Sequence, residues 1–363
     1  MLQKRWTLLP ADEPAAARLH QELGIDPVFC RLLVQRGITT FEAAKTFFRP
    51  SIEHLHDPFL MADMGKAVER LVRAVDSGEK ILLYGDYDVD GTTCVALMCS
   101  FLRNFTKNLD FYIPDRQLEG YGVSLESVEY ARKNACSIVI CMDCGIKAHP
   151  AIDLAKSYGI DFIICDHHLP EGEIPAAAAV LDPKRPDCGY PFDELSGCGV
   201  AFKLAQGFSQ KKGLGFEVLE PLLDLVALSI GCDIVPILGE NRTLAHFGMA
   251  RMNKQPRPGL RALINKSNRS IPLTISDLVF GIGPFINAAG RLGDAREAVK
   301  AMLATDTETA NVQADFLEDR NKKRREVDAL TAEDAKLRFQ SLEGWELRKS
   351  IVLFQKNWHK GII

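Results

Sequence analysis

Between residues 63 and 183, short apolar runs alternate with amphipathic segments of about ten residues, and few folds accept that rhythm. DMGKAVERLVRAVDSG (63–78) carries apolar residues at helical spacing and ends in Gly78, a common helix stop. KILLY (80–84) then reads as a buried strand, and DGTTCVALMCSFLRNF (90–105) as a helix with Thr92 or Thr93 as N-cap. The pattern repeats. NLDFYIP, SIVICMD, DFIICDHH and AAAAVLDP read as strands, with VSLESVEYARKN and AIDLAKSYG as helices among them. Parallel strands need crossovers, and helical crossovers are right-handed and cover both faces of the sheet. The expected fold class is therefore α/β, a doubly wound, mostly parallel sheet.

Such sheets bind ligands beyond the carboxyl ends of their strands, and there this sequence concentrates its charge. KILLY runs into Asp86, Asp88 and Asp90, SIVICM into Asp143, and DFIIC into Asp166, His167 and His168. DLVALSIGCDIVP (224–236) likewise delivers Asp233 after a long apolar stretch. Carboxylates gathered at one edge repel one another and raise their own pKa values unless a cation neutralises them. Oxygen ligands with one or two imidazoles suit Mn²⁺ or Mg²⁺, in numbers sufficient for two divalent cations. DxDxDG also opens like a calcium loop, but the twelfth position from Asp86, where that loop needs glutamate, is Leu97. Taken singly, Asp143 or Asp233 reads as a turn or cap residue, and the histidine pair as ordinary core or surface. Their shared strand-end position gives them weight. Cys141 and Cys144 form a CxxC around Asp143, open to redox or zinc readings; with no second CxxC, packing thiols is preferred.

The chain of 363 residues, 47% hydrophobic and 25% charged, is long enough for two or three folded units. A net charge of −4 leaves no global basic surplus, so any nucleic-acid contact must come from local patches. The first residues, MLQKRWTLLP, lack an apolar core of signal-peptide length, and no apolar run is long enough to span a bilayer. Ten cysteines in apolar contexts fit a reducing compartment. A cytoplasmic protein without membrane attachment is expected. Residues 1–60 look helical and irregular, with FEAAKTFF (41–48) a short helix.

GDYDVDGTT, CMDCG, CDHH and SIGCDIVP, in this order, resemble the four motifs of the DHH phosphoesterase superfamily. DPFLMADMGKAVERL, IPDRQLEGYGVS, SGCGVAFKL and GPFINAAGRLGDAREAV narrow the resemblance to the RecJ family of single-strand-specific 5′→3′ DNA exonucleases, over about residues 55–363. The resemblance implies a two-metal centre made by Asp88 and Asp90 with Asp86, Asp143 bridging, His167 ligating and Asp233 completing the second site. Some relatives carry a histidine where this chain has Tyr84, which leaves one ion's ligand set open, with Asp86 the natural substitute. His168 is expected to face the phosphate and Asp166 to orient the neighbouring imidazole. The implied reaction is in-line hydrolysis of a phosphodiester by water activated between two ions roughly 3.5–4 Å apart. Arg116 and Arg291, with Asn287 nearby, resemble the phosphate-holding residues of the family.

The same resemblance divides the chain into a segment 1–60, a DHH domain 61–298, connector helices 299–345, and 346–363 as the start of a DHHA1-like domain. KSIVLFQKNWHKGII resembles that domain's first strand, so a C-terminally truncated form is expected. The mixed-charge run from Arg320 to Arg325 reads as a solvated helix face, with contact to a nucleic-acid backbone as the other reading. Single-stranded DNA is the expected substrate, in DNA repair and recombination, with a helicase and a single-strand-binding protein as partners. A DHH phosphodiesterase for short oligonucleotides or cyclic dinucleotides, and a nonenzymatic nucleic-acid-binding module, remain as other readings.

Overall fold

The computed structural model describes residues 4–342 and 344–362. Three short helices open the chain: α1 (Glu13–Leu23), α2 (Pro27–Val34) and α3 (Phe41–Phe48). They share a small core of their own around Leu19, Cys30 and Leu33. Only the third of these helices was legible from FEAAKTFF.

The sheet follows. Helix α4 (Met64–Asp76) leads into β1 (Ile81–Gly85), α5 (Val89–Leu102), β2 (Leu109–Tyr112), α6 (Leu125–Lys133), β3 (Ile138–Met142), α7 (His149–Ser157), β4 (Asp161–Cys165) and β5 (Ala179–Leu181). The strand order is β2-β1-β3-β4-β5. All four pairings are parallel, with Ile81 opposite both Leu109 and Ile138, and Cys165 opposite Leu181. Side chains alternate across the sheet, as the two-residue strand period requires. Leu83, Ile140 and Ile163 enter the core shared with α4 and α5, while Leu82, Tyr84 and Val139 enter the core under α6 and α7.

A helical layer completes the body: α8 (Gly197–Lys211), α9 (Leu223–Cys232), α10 (Gly239–Lys254) and α11 (Pro258–Lys266). Then α12 (Ile275–Asp277) passes through a π-helical turn, Leu278–Ile282, into α13 (Gly283–Leu292), followed by α14 (Arg296–Leu303) and the long α15 (Thr307–Gln340). Helix α5 lies between the sheet and α8, α9 and α14, so of its side chains only Ser100 is partly exposed. Burial all round explains why it lacks a one-sided apolar stripe.

Two expectations need correction, and the apolar stretch before Asp233, left open by the sequence, is defined. The cap of α5 is Asp88, whose carboxylate accepts the Gly91 N–H at 3.1 Å, rather than Thr92 or Thr93. Those hydroxyls lie inside the first turn and donate to the carbonyls of Asp88 and Asp90. The apolar run before Asp233 is helix α9, with Asp233 at its C-cap; a segment buried on all sides shows no period that separates helix from strand. Finally, Ile351–Phe354 forms no strand: Val352 and Phe354 are 94% and 85% exposed, and among the described residues no ladder partner is offered. Ile363 of that segment lies outside the described residues. Among the described residues no helix is long and apolar enough to cross a membrane.

Candidate metal centre and phosphate cavity

The strand order reverses direction between β1 and β3, and the crevice at such a switch point is where an open parallel sheet binds ligands. Two glycines let the β1 loop fold back tightly there. A Cβ on Gly85 would stand 2.5 Å from the Gly91 carbonyl oxygen, and one on Gly91 would stand 2.4 Å from the Asp86 backbone. The turn so formed holds Asp86, Asp88 and Asp90 together. Asp143 follows β3 with a left-handed φ of 61°, and Gly197, at the start of α8, approaches it so closely that a Cβ would meet the Asp143 side chain at 2.8 Å.

His167 is the hub of the cluster. Its Nε2 lies 3.1 Å from Asp143 Oδ1, 3.7 Å from Asp90 Oδ2 and 3.7 Å from Asp233 Oδ2. Asp143, His167 and His168 form one group of three donor atoms within 4.8 Å of one another, and Asp90, His167 and Asp233 form a second. Neither Asp86 nor Asp88 contributes an oxygen to either group. The Asp90 carboxylate is held by the N–H groups of Gly197 and Cys198 at 2.7 and 2.9 Å and by the Ser229 hydroxyl at 2.6 Å. Asp166 accepts four hydrogen bonds, from the N–H groups of Ile146, His167 and His168 and from the His168 ring at 2.7 Å. Both of its oxygens are thus occupied by protein, which suits an orienting group rather than a ligand.

Burial and mutual repulsion shape the electrostatics. Burial, then the charge of Asp88, pushes Asp86 up to about 7. Burial, then Asp90 and Asp88, pushes Asp233 up to about 8. Asp143 is raised well above the carboxylate range by burial and then by the neighbouring aspartates. Burial lowers His167, which favours the neutral imidazole that a cation requires. The Asp166 hydrogen bond raises His168, whereas Asp166 itself stays low because that bond and its N–H donors outweigh burial. Among the described residues, Asp86 Oδ1 and Asp233 Oδ2 are buried without a hydrogen-bond partner. Uncompensated carboxylate oxygens beside a neutral imidazole fit a hard divalent cation such as Mn²⁺ or Mg²⁺.

Tyr84 takes no part in the cluster. It is fully buried, stacks on Tyr112 at 5.8 Å and donates its hydroxyl to the Gly122 carbonyl at 2.7 Å. It therefore anchors the 113–124 loop. That loop carries Arg116, whose guanidinium lies 5.0 Å over the ring of Tyr87, the residue between Asp86 and Asp88. Arg116 and Arg291 line one cavity of about 440 Å³ with Gly290 and Gly293. Asn287 is one turn before Arg291 on the same side of α13, outside that lining. A larger cavity of about 610 Å³ lies elsewhere, between α11 and α15.

The candidate carboxylates and histidines named from the sequence thus converge on one edge, with Asp86 and Asp88 beside the two donor groups, while Asn287 is outside the cavity lining. Ser229 and Tyr121 were missed. The Tyr121 hydroxyl lies 3.2 and 3.4 Å from the two ring nitrogens of His168, and Gly120 and Gly122, both in left-handed conformations, flank it. The Gly-Tyr-Gly triplet was the available signal; Ser229, inside an apolar helix, gave none.

Residues 80–230 match the family model for the DHH family, N-terminal domain. RecJ of Bacillus subtilis, a single-stranded-DNA-specific exonuclease, is 36% identical over 360 residues, or 99% of this chain. Residues 80–230 form a DHH-family domain. Escherichia coli RecJ, another single-stranded-DNA-specific exonuclease, is 34% identical over 93% of the chain. The fold agrees as well: RecJ of Thermus thermophilus, in complex with Mn²⁺, matches with a TM-score of 0.82 and 25% identity over 98% of this chain and 50% of that one. The chain spans 45% of the Bacillus subtilis protein and 60% of the Escherichia coli protein, less than two thirds of either.

Proposed function

We propose that this chain is the catalytic part of a metal-dependent exonuclease that hydrolyses the phosphodiester bonds of single-stranded DNA from the 5′ end. The observation that carries this reading is the pair of donor groups sharing His167, set next to a cavity lined by Arg116, Arg291 and Arg296. Opposite charges stand side by side there, as a phosphodiester in contact with cations requires. Asp90, Asp143, His167 and Asp233, with Asp86 and Asp88 in support, would hold two divalent cations, Mn²⁺ or Mg²⁺. When bound, such cations polarise the phosphoryl oxygens and lower the pKa of the attacking water.

The protein's own groups do the rest. Asp166 holds the His168 ring through Nδ1 and raises its pKa, which favours the form that donates to a phosphate oxygen. Arg116 and Arg291 provide planar, multi-donor contacts suited to a terminal phosphate, and holding the terminus sets the direction of attack. Tyr121 and Tyr87 fix the positions of His168 and Arg116. A reducing, cytoplasmic setting suits ten free cysteines, and a helicase and a single-strand-binding protein are the partners such a substrate implies. Residues 346–363 would begin a second, DHHA1-like domain after connector helices 299–345.

The decisive assay is degradation of a 5′-phosphorylated single strand of roughly 40 nucleotides in Mn²⁺, comparing the chain with Asp143→Ala and with a dinucleotide substrate. Stepwise 5′ loss that disappears in the variant supports the exonuclease. Turnover of the dinucleotide alone would replace it with a small-substrate phosphodiesterase.

A further inference from the structure

Elsewhere in this protein Arg70 pairs with Glu79 and Asp161, Arg185 with Asp63 and Asp187, and Arg257 with Asp224, whereas among the described residues Arg242 and Arg251 have no carboxylate within 4.0 Å. In the cavity lining Arg296 is also paired, with Asp294, but four other arginines in or beside it are not held this way. Arg116, Arg291, Arg320 and Arg324 come from the 113–124 loop, α13 and α15. Among the described residues, no carboxylate oxygen lies within 4.0 Å of Arg116, Arg291 or Arg320. Arg324 reaches only Asp328, at 4.0 Å, and that carboxylate is 57% exposed. Arg291 senses the crowding: burial, then the charges of Arg116 and Arg324, hold it below the usual arginine range.

The two arginines of α15 are built into place. Ala310, Ala314, Leu317 and Asn321 form the buried stripe of this helix, and Arg324 continues it one turn further. Asn321 Oδ1 accepts from Arg324 Nε and Nη2, both at 3.3 Å. Arg320 lies 4.8 Å over the Phe316 ring and packs on Gly293, in the cavity wall, where a Cβ would stand 3.5 Å from Arg320 Cδ. Its Nε is buried without a partner. Lys322, Lys323 and Arg325 are exposed instead, and Lys322 and Arg325 line the separate cavity against α11. The charged run is therefore two surfaces, and only the outer one is a solvated helix face.

Four guanidinium groups held close together repel one another; Asp115, Glu119 and Asp294 also line the cavity but none of the three lies within 4.0 Å of these arginines, so a polyanion would relieve the repulsion. We propose that Arg320 and Arg324 bind a further backbone phosphate of a single strand whose terminal phosphate sits at Arg116 and Arg291, so that affinity grows with strand length beyond a dinucleotide. This rests on the assignment of Arg116 and Arg291 to the terminal phosphate. A nucleic acid is favoured over an acidic peptide because the donors are planar guanidiniums in series, suited to repeated phosphates.

The test is fluorescence anisotropy of the Mn²⁺-loaded chain with a phosphorothioate-linked, 5′-phosphorylated single strand that is not cleaved, across a range of NaCl concentrations. Each phosphate contact on a single strand contributes about 0.7 to the slope of log affinity against log salt. The Arg320→Gln/Arg324→Gln protein should therefore show a slope shallower by about 0.7 and lose the gain in affinity between a dinucleotide and a longer strand. Arg320→Lys/Arg324→Lys should recover most of the slope. Lys322→Gln/Arg325→Gln removes the same charge from the outer surface and should leave it unchanged. An unchanged slope in Arg320→Gln/Arg324→Gln, or equal losses in the inner and outer variants, would overturn the proposal. Arg116→Gln/Arg291→Gln separates the two levels. If it abolishes the preference for a 5′-phosphate while the α15 variant changes nothing, only the extension fails; if it has no effect, the terminal-phosphate assignment fails too.

Discussion

Gly290 and Tyr87 touch backbone to backbone: a Cβ on Gly290 would stand 2.4 Å from the Tyr87 carbonyl oxygen. Helix α13 thus rests directly on the loop that carries Asp86, Asp88 and Asp90, and the next residue along the helix, Arg291, enters the phosphate cavity. The metal cluster and the arginine wall are one unit because a glycine permits this approach.

Gly290→Ala should therefore force α13 off the loop, since the obstacle is backbone and cannot swing aside. We expect a loss of about 1–3 kcal/mol in stability, measured by urea denaturation. Strand cleavage should fall further than Mn²⁺ affinity, because the arginine wall moves while His167 and Asp143 stay. Equal losses in both would show that the contact supports the whole fold instead.

Asp143→Asn should raise the metal-free melting temperature at pH 8, because it removes a buried carboxylate whose ionisation its neighbours oppose. The gain should shrink as pH falls, because burial and the neighbouring aspartates raise Asp143 and so favour its neutral form. The variant should also lose the Mn²⁺-dependent rise in melting temperature that ligand binding confers on the parent. A variant that is less stable than the parent at pH 8 and at lower pH alike would contradict the crowded-carboxylate description.

The pH dependence of the parent follows from the same groups. Asp86 and Asp233 are raised to about 7 and about 8, so between the ordinary aspartate range and those values the folded state binds more protons than the unfolded state. Their contribution is present at low pH and lost as pH rises through about 7 to 8. Metal-free protein should melt at progressively lower temperature over that interval. Protein saturated with Mn²⁺ should not, and the gap between the two should widen with pH. Differential scanning calorimetry at pH 5, 6.5 and 8 measures this directly.

Tyr84→Phe removes the donor to the Gly122 carbonyl but no oxygen from the metal cluster. Calorimetric Mn²⁺ affinity should stay the same, while stability falls by about 1–3 kcal/mol because a buried acceptor is left unpaired. A drop in Mn²⁺ affinity of tenfold or more would instead make Tyr84 part of the ligand set.

The parallel α/β sheet was legible in the chain because strands such as KILLY and SIVICM are apolar throughout and each is followed by a helix; burial on both faces leaves that signature in the local pattern. The placement of Asp86, Asp143 and His167 at strand ends was legible too, and strand ends of a parallel sheet share one edge. Other features waited on packing between distant segments. That Asp233 arrives on a helix, that Ser229 and the N-terminus of α8 clamp Asp90, and that Tyr84 faces the opposite core all depend on contacts between segments far apart in the chain. The same holds for the charged run of α15. Its composition is that of a wet helix, and the division between an inward pair, Arg320 and Arg324, and an outward set exists only once α13 is packed against it. Periodicity reports which side chains share a face; it carries no information about which distant segment that face will meet.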